Sequence, residues 1–236
     1  MPCNGFAIEK PGASSDYVLR SWSNLANSVL LSIAVPVEIK LNHLAILCMT
    51  TDQALTLFKS SGALLEGHFV LRSGLHSRQF FQCAQALQEM PIVEQFGAAL
   101  ASKYRADRIR TVVSPAMGGL VIGQEVARQL GCRFIFVEKE EGKLVLRRGF
   151  KIAPGERVLV VEDVVTKGGR VAETLEIARQ HNAEIVGVAM MVDRSDGNLQ
   201  LGVPMTSLIK LQVETFAPDQ LPADLAAKPA TKPGSK

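Results

Sequence analysis

Arg157-Val-Leu-Val-Val-Glu162-Asp163-Val-Val-Thr166-Lys-Gly168-Gly169 is the stretch on which the fold of this chain turns. Its apolar run Val158 to Val161 suits a strand covered on both faces. After the glycines, Val171, Leu175 and Ala178 recur at helical spacing. A buried strand therefore ends on two adjacent acids and passes through a small-residue turn into a helix. Backbone N–H groups from Thr166 to Arg170 then lie unpaired at a helix N-terminus, where free donors and the helix dipole both favour a phosphate dianion. Glu162 and Asp163 stand too close to that phosphate to bind it themselves, and as acceptors they suit the hydroxyls of an attached ribose. An ordinary βα turn with solvated acids is the plainer alternative, but tandem acids behind a buried strand are costly without partners. The chain holds no G-x-x-x-x-G-K-[ST], and no strand leads into G-x-G-x-x-G, which sets aside the Walker and dinucleotide-binding readings.

Outward from this stretch, the pattern alternates as a parallel sheet with crossover helices requires. Arg110 to Ser114, Arg133 to Val137 and Ile185 to Val192 read as further strands, and Gly119 to Leu130 as a helix. The expected fold class is α/β, with a central, mostly parallel sheet flanked by helices. Phe69 to Gln82 and Thr206 to Phe216 read as strands outside this core, together forming a small hood over the strand C-termini, where ligands of open α/β sheets bind.

At 236 residues, 47% hydrophobic and 21% charged, the chain is long enough for one sizeable core and a small appendage. A net charge of +3 without a basic tract gives nucleic-acid binding no support. Cys3, Cys48, Cys83 and Cys132 lack metal-ligand spacing and a disulfide framework, which fits a reducing cytoplasm. No run of eighteen apolar residues exists, so no membrane span is expected. His43, His68, His76 and His181 have no spaced partners for a metal, and His76 alone is a candidate substrate neighbour.

The ends differ from the middle. Met49-Thr-Thr-Asp52 looks like a second, more natural beginning, with Asp52 capping a helix over 53–60. Residues 1–48 read as a dispensable or wrongly assigned extension, the alternatives being a targeting segment or an extra docking helix. The main domain spans 49–216, and 217–236, rich in Pro, Ala and Lys, is expected to be a loose tail.

The opening stretch resembles the phosphoribosyl-pyrophosphate (PRPP) motif of the type I phosphoribosyltransferases: four apolar residues, two acids, two apolar residues, Thr, a variable residue, then small residues. In that family the acids hold the ribose 2′- and 3′-hydroxyls and the following loop holds the 5′-phosphate. The resemblance thus implies a PRPP site made of Glu162, Asp163, Val164, Val165, Thr166, Lys167, Gly168, Gly169 and Arg170. Lys167 and Arg170 depart from the usual small residues, which a loop working through backbone donors tolerates. Ser114-Pro115-Ala116-Met117-Gly118-Gly119 occupies the place of the family's pyrophosphate loop, often with a strained or cis peptide, and its glycines would let amides approach phosphates closely.

Gly67-His-Phe-Val-Leu-Arg72-Ser73-Gly74-Leu-His76-Ser77-Arg78-Gln-Phe80-Phe81 is similar to the N-terminal signature of the orotate phosphoribosyltransferases. That resemblance implies that Arg72 contacts pyrophosphate or the orotate carboxylate, which a guanidinium can hold through paired hydrogen bonds, and that Phe80 and Phe81 line the base pocket. It places Arg194, in Val192-Asp193-Arg194, at the orotate-binding arginine; a surface arginine paired with Asp193 or Asp196 is the plainer alternative. Glu138 to Gly149 matches the mobile catalytic loop that closes over the neighbouring subunit's substrate in a homodimer. Lys139 and Lys143 are carried over as pyrophosphate ligands, with Lys143 and Asp163 in the catalytic role. The spacing departs from the common bacterial loop, and a solvated β-hairpin is the alternative. The resemblance further implies Mg²⁺ held mainly through PRPP, PRPP and orotate as substrates, and a cytoplasmic pyrimidine-biosynthetic enzyme. The rivals are a phosphoribosyltransferase for purines or another base, and a PRPP-sensing regulator; residues 1–48 show no convincing helix-turn-helix for the latter.

Overall fold

The computed structural model describes residues 49–71 and 73–233. The expectations for residues 1–48 and for Arg72 therefore lie outside the described residues.

Helix α1 (Thr51–Ser60) starts two residues earlier than the sequence suggests. Thr50, not Asp52, is its cap: the Thr50 hydroxyl accepts from Gln53 N at 3.2 Å, while Gln53 Oε1 accepts from Thr50 N at 2.8 Å. This reciprocal box satisfies two orphan amides, and Asp52 falls in the first turn, where the helix dipole favours a negative charge. Strands β1 (Leu64–Val70) and β2 (His76–Phe81) follow as an antiparallel pair, then the short α2 (Cys83–Leu87) and α3 (Met90–Ser102).

The core alternates β3 (Thr111–Pro115), α4 (Gly119–Leu130), β4 (Arg133–Glu140), β5 (Lys143–Leu146), β6 (Arg157–Val165), α5 (Gly169–Gln180), β7 (Glu184–Asp193) and β8 (Met205–Lys210). The sheet order is β5-β4-β3-β6-β7-β8, with β5 antiparallel to β4 and the remaining pairings parallel. Strand β6 is central, and its alternation explains its wholly apolar run. Leu159 and Val161 join one buried cluster with Phe96, Leu100 and Ile122, while Val158 and Val160 join the other with Val171 and Leu175. Helices cover both faces, so every residue of the run from Val158 to Val161 is fully buried.

Two expectations about the periphery are corrected. Residues 206–216 do not form one hood strand. Residues 205–210 instead continue the central sheet as its sixth strand, and only β9 (Thr215–Phe216) reaches the hood, pairing with β2. The burial of Leu208 and Ile209 against the α1–α3 layer is what draws β8 into the core. The tail is not loose over its described part either. Leu225, in the one-turn helix α6 (Ala223–Ala226), is only 1% exposed, and Thr231 bridges to Phe69 of β1. A Pro- and Ala-rich composition signalled disorder, but one buried leucine and backbone pairing to an open strand edge suffice to hold the segment down.

Candidate functional site

The site lies at the C-terminal end of β6 and β7. Glu162 is the last residue of the buried run and is 3% exposed; Asp163, next along the strand, is half-buried. Glu162 Oε1 accepts from Asp163 N at 3.1 Å, and Asp163 Oδ1 accepts from Val164 N at 2.8 Å. Burial first, then the adjacent Asp163 carboxylate, push the Glu162 pKa up to about 9. The tandem acids are therefore not equivalent, since Glu162 holds its proton at neutral pH.

Strand β6 continues past the acids to Val165, and the turn Thr166-Lys167-Gly168 leads into α5. Gly168 caps α5 with φ of 72° and provides no side-chain acceptor, so the first amides of the helix remain open to a ligand. The glycine is doubly required: its positive φ disfavours other residues, and a Cβ there would fall 2.6 Å from Leu199 Cδ2. A cavity of about 510 Å³ is lined by every residue from Glu162 to Val171, together with Glu173. All nine residues assigned to the PRPP motif are thus brought to one concavity.

A second cavity, of about 860 Å³, shares Thr166 and Lys167 with the first and is otherwise lined by Leu71, Ser73 and Phe80 from the hood hairpin, Arg194 to Asp196, Asn198 and Leu199 after β7, and Val213 and Thr215. Its wall supplies an aromatic face and a cation. Arg194 Nε is buried without a hydrogen-bond partner. Asp193 is not its counter-ion, because Asp193 Oδ1 accepts from the Ser195 amide at 2.9 Å and its hydroxyl at 2.6 Å. Burial lowers the Arg194 pKa from its ordinary value. A partly desolvated guanidinium with an unused Nε donor favours an anion in the cavity beside it.

Phe81, the other half of the aromatic pair, is corrected. Adjacent strand residues face opposite sides, and Phe81 packs into the core at 4.7 Å edge-to-face from Phe58. Phe80 alone faces the cavity. His76 is engaged through Nδ1 with His68 Nε2 at 2.5 Å and is not among the residues lining either cavity.

The segment expected as a loop, Glu138 to Gly149, contains an antiparallel hairpin of β4 and β5, with Glu141 (φ 50°) and Gly142 (φ 88°) at its two-residue turn. Lys139 and Lys143 are exposed there and line neither cavity. Arg147 and Arg148 pair with Glu140 and Glu138. The hairpin touches the phosphate side through Glu173, whose Oε2 accepts from Leu144 N at 3.1 Å.

The turn read in the sequence as a pyrophosphate loop comes up against the acids, and one neighbour of the site, Cys83, escaped the sequence. Gly118 and Gly119, in a turn with a cis Ala116–Met117 peptide, abut the acids themselves: a Cβ on Gly118 would lie 2.6 Å from Asp163 Oδ1, and one on Gly119 would lie 2.8 Å from Val161 O. Cys83 lies 4% exposed under the site, its thiol pKa pushed well up by burial and by the Asp163 charge. Nothing local in the sequence marked Cys83.

The phosphoribosyl transferase domain family matches residues 84–217. The chain is 47% identical over 188 residues to the orotate phosphoribosyltransferase of Caldicellulosiruptor bescii, covering 80% of this chain and 99% of that one. It is 48% identical over 191 residues to the enzyme of the same name from Novosphingobium aromaticivorans, covering 80% and 98%. The crystal structure of orotate phosphoribosyltransferase from Aeropyrum pernix, 26% identical, aligns with a TM-score of 0.55 over 66% of this chain and 93% of that one. A parallel sheet ending in tandem acids, the glycine turn behind them and these likenesses converge, and the chain belongs to the orotate phosphoribosyltransferases.

Proposed function

We propose that the chain transfers the 5-phosphoribosyl group from PRPP to orotate, giving orotidine 5′-monophosphate and pyrophosphate in UMP biosynthesis. The observation that carries the base assignment is Arg194, a half-buried arginine whose buried Nε is unpaired, in the wall that also holds Phe80. Orotate supplies what that wall lacks: a carboxylate for the guanidinium and a flat ring for the aromatic face.

Thr166 to Arg170 receive the 5′-phosphate on the open amides of α5, and Asp163 and Glu162 meet the ribose hydroxyls. Glu162, neutral at pH 7, donates a hydrogen bond as well as accepting one, whereas the Asp163 carboxylate accepts. As the bond at C1 lengthens, negative charge gathers on the departing pyrophosphate and positive charge on the sugar. Lysines of the β4–β5 hairpin neutralise the former when the hairpin closes, and closure keeps water from the sugar. Orotate nitrogen attacks, so no protein nucleophile is required.

Mg²⁺ would be held here mainly through PRPP, beside Glu162 and Asp163, and would supply Lewis-acid stabilisation of the charge on the departing pyrophosphate. The hard oxygens of Asp163 and Glu162 suit such a cation at second hand, through the hydroxyls they hold, and among the described residues no group of three His, Cys, Asp or Glu forms a protein cage. The exposed Lys139 and Lys143 reach neither cavity of their own chain, which supports a homodimer in which each hairpin serves its neighbour. The biosynthetic role and the free Cys83 and Cys132 support a cytoplasmic setting. No described helix is long and apolar enough to cross a membrane.

Purified protein supplied with PRPP and Mg²⁺ should consume orotate and leave adenine, hypoxanthine and uracil untouched. Consumption of a purine instead would overturn the assignment of the Arg194 wall.

A further inference from the structure

The hood that closes the base cavity is held by the segment after residue 221. Thr231 adds to the free edge of β1: its N donates to His68 O at 2.9 Å, its O accepts from Val70 N at 2.8 Å, and its hydroxyl donates to the same His68 O at 3.0 Å. Three residues earlier, the Lys228 carbonyl meets His68 Nδ1 at 2.9 Å. A carbonyl can only accept, so Nδ1 carries a proton, and the buried His68 ring is left to meet His76 of β2 through Nε2. On the β2 side, Arg78 grips Asp224 with two parallel bonds of 2.9 and 2.8 Å and Glu214 with a third of 2.7 Å, its guanidinium lying 4.8 Å over the Phe216 ring. Leu225, between these two attachments, is almost fully buried.

Every one of these bonds ends on β1, β2 or β9. Those strands, with the turn between β1 and β2, present Leu71, Ser73, Phe80 and Thr215 to the base cavity and none of the residues lining the phosphate cavity. We propose that residues 222–231 are a strap that sets the hood against Arg194, so that Thr231 and the Arg78–Asp224 pair act as positioning residues for the base subsite, without touching substrate. The reasoning rests on the base assignment above and goes beyond it, because the strap separates the two subsites: it restrains the wall that meets the base and leaves untouched the β6–α5 turn that meets the phosphate.

Two variants of the full-length chain test this. Thr231→Pro removes the donor to His68 O while leaving Leu225 in place. Asp224→Asn weakens the grip of Arg78 at a solvent-exposed pair whose loss leaves folding largely unaffected. Both should raise the half-saturating orotate concentration, by about tenfold for Thr231→Pro, with PRPP half-saturation and kcat at saturating orotate changed by less than about threefold. Thr231→Ser, which retains the backbone pairing, should behave as the parent. Loss of thermal stability with orotate half-saturation unchanged in both variants would overturn the strap's role, as would a PRPP effect equal to the orotate effect. If Thr231→Pro fails to fold, Asp224→Asn alone decides between the same outcomes. A parent chain that turns over no orotate indicts the base assignment instead, so the two failures are distinguishable.

Discussion

Glu162→Gln should flatten the pH dependence of stability, and the size of the effect follows from the strand end. The Glu162 carboxyl has a pKa of about 9 when folded against an ordinary value of 4.5, because it is buried and abuts the Asp163 carboxylate. A raised folded pKa means that the folded chain keeps a proton which the unfolded chain releases above 4.5. The stabilisation is therefore fully present below 4.5 and is lost as pH rises toward 9. Within that window the loss runs at about 1.4 kcal/mol per pH unit, so from about pH 6 to about pH 8 this one group should remove about 2–3 kcal/mol from the parent. Glutamine does not titrate and keeps the amide-to-oxygen bond from Asp163 N, so the variant lacks that slope. Urea unfolding of both proteins at the two pH values, without PRPP or magnesium, reads the difference directly. Parallel stability curves for parent and variant, agreeing within about 0.5 kcal/mol at both pH values, would refute the claim that Glu162 is neutral in the folded chain.

Other outcomes follow from the same geometry. Phe81→Ala should cost about 3–5 kcal/mol of stability, read by urea unfolding, because its ring packs on Phe58 in the core; Phe80→Ala should instead raise the orotate KM about tenfold with little change in Tm. Gly118→Ala should lower kcat by more than about tenfold, since its new methyl would displace the Asp163 carboxylate; steady-state kinetics beside a Tm measurement separates this from misfolding. Asp163→Asn should reduce turnover about a hundredfold or more with Tm nearly unchanged. Mixing it with Lys143→Ala subunits should restore part of the activity, and verified mixed dimers that stay inactive would place each site within one chain.

The hydrophobic code of the core was legible because β6 is covered on both faces, which forces an uninterrupted apolar run that few other arrangements require. The β6 acids and glycine turn were legible for a related reason. A phosphate is held by backbone amides at a helix start, and the small residues needed there are contiguous in sequence. Strand β8 was assigned to the wrong sheet because its alternation is the same in a hood as at a sheet edge; only packing against α1 and α3 distinguishes them. Phe80 and Phe81 could not be told apart for the converse reason. Neighbouring strand residues face opposite ways, and which one meets the ligand depends on which face the sheet turns to the core.

What the chain's letters determined alone was local: a doubly covered strand, paired acids, a glycine turn and a helix start, each fixed by residues within a few positions of one another. What folding decided was everything requiring distant segments to meet. The Arg194 Nε is left unpaired where the end of β7 meets the hood, Glu162 keeps its proton because the helix layers exclude water from β6 beside the Asp163 carboxylate, and the Pro- and Ala-rich end became a strap because β1 offered it an open edge. Solvent exclusion and long-range backbone pairing depend on the whole assembled surface, so no short window of sequence contains them.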